Sequence, residues 1–153
     1  MLNSPASINY NNLNYNYHIF QDIHLTELKK LKVVIIDDNI KDIALTKELL
    51  EIESNINFTI LSHTNPHDAL LALESKFILP DIIILDLVMP SIDGKIVLKR
   101  IKEIAHVKNI PVIIHSSMNN YENIIKMNKL EAHAFFEKPL NIEAFESFIL
   151  GTL

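Results

Sequence analysis

Lys32-Val-Val-Ile-Ile-Asp-Asp38 is a short apolar run that ends on two carboxylates, and Asp81-Ile-Ile-Ile-Leu-Asp86 has the same form. A continuous apolar run of this length, bounded by polar residues, reads as a strand buried on both faces, as in parallel sheets. The carboxylates then stand at the carboxyl ends of their strands, where open α/β sheets place the reactive crevice.

Working outward from these runs, strand and helix patterns alternate. Ile43, Leu45, Leu49, Leu50 and Ile52 predict a helix, and Phe58-Thr-Ile-Leu61 a strand. Pro66 opens a second helix carrying Ala69, Leu70, Leu73 and Phe77. A helix is expected from about Lys95 to Ala105, a strand over Pro111-Val-Ile-Ile-His115 and a weaker helix from about Asn119 to Lys129. Ala132–Phe136 reads as a fifth strand and Ile142–Leu150 as a last helix with Phe145, Phe148 and Ile149 inward. Such alternation implies right-handed βαβ crossovers and a parallel sheet covered on both faces. The first residues differ. Asn3, Asn9, Asn11, Asn12, Asn14 and Asn16 crowd a nearly uncharged stretch, so residues 1–28 are expected to be a flexible Asn/Tyr-rich arm, with a weak helical pattern from Ile19. Residues 29–153 are then the folded domain.

At 153 residues the chain is long enough for one domain that buries roughly 70% of its unfolded surface. It has no cysteine, which excludes disulfides and thiolate metal sites. A formal charge of −5 without a Lys/Arg cluster argues against direct nucleic-acid binding. No apolar stretch approaches the ~20 residues that span a bilayer, so membrane insertion is not expected. The N-terminus lacks the features of a secretory signal, and a cytoplasmic location is expected.

Four strand ends carry chemistry. Asp37 and Asp38 follow the first strand, although Asp38 or Asn39 could equally cap the next helix. Asp86 opens Asp86-Leu-Val-Met-Pro-Ser-Ile-Asp-Gly94, where Pro90 fixes a turn and Gly94 can take positive φ as the chain swings into the next helix. Ser116 ends the fourth strand, with Ser117 as a competing hydroxyl. Lys138 follows the fifth strand in Phe135-Phe-Glu-Lys-Pro139. Hard carboxylate oxygens that repel one another suit Mg²⁺, and a hydroxyl and an ammonium suit the oxygens of a phosphoryl group. His115 is read as a plain strand residue, and the other histidines as surface residues.

In this order and at these element ends, the residues resemble the response-regulator receiver domains of two-component signalling, over about residues 31 to 150. The resemblance implies a doubly wound (βα)5 flavodoxin-like parallel sheet with strand order 2-1-3-4-5. It implies Mg²⁺ held by Asp37, Asp38, Asp86 and the Val88 carbonyl, and phosphorylation of Asp86. Lys138, in a Lys-cis-Pro element, would bind the phosphoryl group, and Ser116 and Phe135 would act as the switch pair. The implied partners are a histidine kinase or histidine phosphotransfer protein and a downstream protein target. The implied output surface is the 119–129 helix, the fifth strand and the last helix. Ending soon after that helix, the chain is expected to act alone or as a phosphorelay shuttle, unless it is a receiver cut from a longer protein.

Two departures stand out. Glu131 occupies a position where the family usually has Gly, so the turn into the fifth strand is expected to be shaped differently. Val88 and Met118 are apolar where polar side chains can position hydrolytic water, which predicts a long-lived phosphoryl state. Two alternatives compete. One is a receiver-like docking module independent of phosphorylation. The other is a haloacid-dehalogenase-type phosphatase, which would want an acid where Val88 stands.

Overall fold

The computed structural model describes residues 30–117 and 131–153. The arm expected at 1–28, the helix expected at 119–129 and Met118 fall outside them. Five parallel strands form one sheet, in the order β2-β1-β3-β4-β5. They are β1 (Leu31–Ile36), β2 (Phe58–His63), β3 (Ile82–Leu85), β4 (Val112–Ser116) and β5 (Ala134–Glu137). The helices are α1 (Ile40–Glu48), continued by a π-helical turn Leu49–Glu53, then α2 (Pro66–Glu74), α3 (Gly94–Glu103) and α4 (Ile142–Thr152). The sheet and its strand order are those expected from the sequence.

Alternation along the strands builds two cores. Val34, Ile36, Ile83, Leu85, Val112 and Ile114 pack with Leu70 and Leu73 of α2 and Val97, Leu98 and Ile101 of α3. On the opposite face, Val33, Ile35, Ile82, Ile84 and Ile113 pack with Ile43 of α1 and Phe145 and Ile149 of α4. Phe136 meets Phe145 and Phe148 edge-on, with ring centroids 5.9 and 6.3 Å apart. Such geometry favours the positive ring edge over the negative face.

Asparagine caps three helices. Asn39 accepts from the Lys41 amide, Asn65 from that of His67 and Asn141 from that of Ala144. Each side chain satisfies one of the donors that a helix start leaves unpaired. Asn39, rather than Asp38, caps α1.

Several expectations need correction. Phe77 lies beyond α2 and is 87% exposed, because the helix ends at Glu74 and the chain turns through Lys76 at φ 60°. Leu45 and Ile52 are exposed, since α1 turns only Ile43 and Thr46 inward and the π-helical turn shifts the phase so that Leu50 is buried. Gly94 does not have positive φ. A Cβ there would meet the Asp86 carbonyl oxygen and lie 2.5 Å from Leu87 Cα, so close backbone approach requires the glycine. Glu131 takes φ 60°, the conformation glycine adopts most easily, so the turn keeps the shape a Gly would give it.

Candidate functional site

The ends of β1, β3, β4 and β5 bring together Asp37, Asp38, Asp86, Ser116 and Lys138. Each arrives there because its strand stops on it. The Asp86 amide donates to the Ile36 carbonyl at 2.9 Å and the Asp37 amide to that of His63 at 3.2 Å, which fixes both backbones at the sheet edge. The Lys138 amide donates to the Ser116 carbonyl at 3.2 Å. The Lys138–Pro139 peptide bond is cis.

The Lys138 ammonium organises the crevice. Its Nζ donates to Asp37 Oδ2 at 2.6 Å, Asp42 Oδ2 at 2.9 Å and Asp86 Oδ2 at 3.1 Å. An ammonium has three donors and no acceptor, so this set saturates it. The remaining oxygens face backbone amides: Asn39 N–H reaches Asp37 Oδ1 at 2.9 Å and Val88 N–H reaches Asp86 Oδ1 at 3.2 Å.

Asp42 was not singled out in the sequence. It lies in the first turn of α1, where an acidic residue is favoured by the helix dipole, and that hides its second use. Its position four residues after Asp38, about one helical turn on, was the only available signal.

Burial decides the electrostatics. It pushes the Asp37 carboxyl above its usual range, with the Asp86 charge adding to the shift and the Lys138 hydrogen bond opposing it. Burial alone would lower the Lys138 ammonium, but its hydrogen bonds to three carboxylates win and raise it, so it stays charged. With Asp38 beside them, four carboxylates surround one ammonium, a formal excess of negative charge. One oxygen from each of Asp37, Asp38 and Asp86 lies within 4.8 Å of the others. Converging hard oxygens with an uncompensated charge fit a divalent cation.

Two buried side-chain atoms among the described residues lack hydrogen-bond partners, Ser116 Oγ and His115 Nε2. Ser116 is fully buried. Phe135 is half-buried against the α2/α3 core, the face Ser116 also takes by alternation from Ile114. His115 takes the other face. Burial, followed by the Lys138 charge, pulls its imidazole down to about 4. Val88 is 52% exposed in the loop after Asp86.

This strand order and this edge define an α/β domain with an acidic crevice closed by a lysine. Residues 33–149 match the family described as response regulator receiver domain. The chain belongs to that family, the receiver domains of two-component response regulators. It is 31% identical over 144 residues to the two-component response regulator ARR16 of Arabidopsis thaliana, covering 86% of this chain and 84% of that one. It is 25% identical to the response regulator Rcp1 in its manganese-bound crystal form, with a TM-score of 0.64 and coverage of 79% and 90%. A response regulator structure from Chloroflexus aurantiacus gives a TM-score of 0.70 at 19% identity, covering 81% and 98%, and speaks for the fold alone. No helix among the described residues is long and apolar enough to cross a membrane.

Proposed function

We propose that this receiver accepts a phosphoryl group on Asp86 from a histidine kinase or phosphotransfer protein and passes the signal on as a changed binding surface. The observation that carries this reading is the pairing of a charged lysine on Asp86 with a buried, unpartnered hydroxyl on the neighbouring strand. A carboxylate oxygen of Asp86 attacks phosphorus in line, the P–O bond forms, and the P–N bond to the donor imidazole breaks with its electron pair returning to nitrogen. Asp37, Asp38, Asp86 and the Val88 carbonyl would hold Mg²⁺, which would neutralise the phosphoryl oxygens during transfer. Rcp1 is similar to this chain and binds manganese in its crystal form, which favours a divalent cation here.

The acyl phosphate adds roughly −1.5 to −2 charges and three strong acceptors beside Lys138. The lysine stays charged to bind them. Ser116 Oγ gains the partner it lacks, and its movement leaves room for Phe135 to turn further inward. That biases a two-state equilibrium read by the partner surface of β5 and α4. Val88, apolar beside Asp86, leaves hydrolytic water without a polar anchor on that side, and a half-life of many minutes follows. A half-life of seconds without a phosphatase would overturn that lifetime.

Intact mass after acetyl phosphate and Mg²⁺ tests the acceptor. One phosphoryl adduct is expected on the wild type, with none on Asp86→Ala or in excess EDTA. An adduct that survives in Asp86→Ala would remove Asp86 from the role.

A further inference from the structure

Lys138 and a divalent cation make competing claims on the same oxygens. Asp37 and Asp86 belong to the carboxylate set that converges for a cation, and their Oδ2 atoms already hold the lysine. Two positive centres on shared carboxylates repel strongly in a buried setting, so one must yield. Asp42 belongs to the lysine's set and not to the cation's. It is also the most exposed of the three, its side chain 35% accessible against 3% for Asp37 and 7% for Asp86.

There is room on that side. A pocket of about 210 Å³ is lined by Asp42, Leu45, Thr46, His115, Lys138 and Pro139. Thr46 Oγ1 donates to the Asp42 carbonyl at 2.8 Å and braces the turn. His115, which lines this pocket, is 2% exposed, and its buried Nε2 has no partner. With its proton on Nδ1, that nitrogen is an acceptor, which is what an incoming ammonium needs. Burying a polar atom without a partner is unfavourable, so a use for it in another state is informative.

We propose that Asp42 and His115 form a second seat that holds the Lys138 ammonium once a divalent cation takes Asp37 and Asp86. Asp42 is then a positioning residue that acts through the lysine. It keeps the ammonium close enough to reach an arriving phosphoryl group while relieving its repulsion with the cation. The inference rests on reading the crevice as a cation site.

Mg²⁺ titration by calorimetry of wild type, Asp42→Asn, Lys138→Met and the double variant tests both layers. Asp42→Asn should weaken Mg²⁺ binding about fivefold in the wild-type background and less than about twofold in Lys138→Met, the mark of energetic coupling between the two. The His115 ring nitrogens, followed by NMR, should shift on Mg²⁺ addition in the wild type and stay still in Lys138→Met. Equal losses in both backgrounds would reduce Asp42 to a through-space charge and overturn the seat alone. Wild type that binds no Mg²⁺ would overturn the cation site and the seat with it.

Discussion

Asp81 and Asp86 bracket the same strand and meet opposite fates. At the amino end, Asp81 Oδ2 accepts from the Lys32 amide at 2.8 Å, and the Asp81 amide returns a bond to the Lys32 carbonyl at 2.8 Å. Nearby, the Val112 amide finds His133 Nδ1 at 3.1 Å and the His133 amide finds the Val112 carbonyl at 2.9 Å. Polar groups there are consumed by backbone. At the carboxyl end, Asp86 shares one lysine with Asp37 and Asp42, while Ser116 and His115 keep unpaired buried atoms. The amino edge spends its polar groups on backbone pairing, and the carboxyl edge leaves some of them shared or unpaired. A carboxylate's role is thus set by which strand end carries it and by what is left unpaired around it.

The largest test of that contrast is at Gly94. Its Cα lies so close to the Asp86–Leu87 backbone that an added Cβ has no side chain to push aside. Gly94→Ala should cost about 3 kcal/mol in denaturant unfolding and disturb the loop that aims Asp86, in line with overpacking against fixed atoms. A loss under 0.5 kcal/mol would show that the carboxyl edge is more pliable than its contacts indicate.

A similar effect should appear with pH. His115 titrates near 4 when folded, against about 6.5 when unfolded. Above 6.5 neither state takes the proton and the stability is fully present. As pH falls through this window, only the unfolded chain binds it, so stability drops until the folded pKa is reached. The full swing is about 3 kcal/mol. Asp37, raised by burial, works in the opposite sense and trims the net effect. Denaturant midpoints from pH 7 to 4 should therefore fall more steeply in wild type than in His115→Leu, which has no ring to protonate. Parallel slopes would show that the buried imidazole is not the origin of the acid sensitivity.

The strand ends were legible because each apolar run is short and stops on a chemically distinct residue. Asp37, Asp38, Asp86, Ser116 and Lys138 can therefore be placed at one edge from the sequence alone. Asp42 could not, since a helix-start carboxylate is unremarkable until the fold swings Lys138 against it. Which apolar residues of α1 face inward is not legible from their spacing, because a π-helical turn breaks the 3.6-residue period that pattern reading assumes. Phe77 was misplaced because apolar character says nothing of where a helix stops. Glycine at 94 was recognised, but its reason was not: positive φ is a local property, whereas backbone approach belongs to the tertiary fold.

The smallest effect, and the sharpest control, is at Asp81. Asp81→Ala deletes the acceptor for the Lys32 amide but leaves the reciprocal backbone bond in place. That amide lies at an exposed edge, so water replaces the carboxylate and the loss should be about 1 kcal/mol or less. Asp81→Asn, which keeps an acceptor oxygen, should lose still less. Neither substitution should alter Mg²⁺ affinity or phosphoryl incorporation, because the strand's length separates this carboxylate from the crevice. A several-fold change in either would mean that the two ends of β3 are coupled. The division between a stabilising edge and a reactive one would then fail.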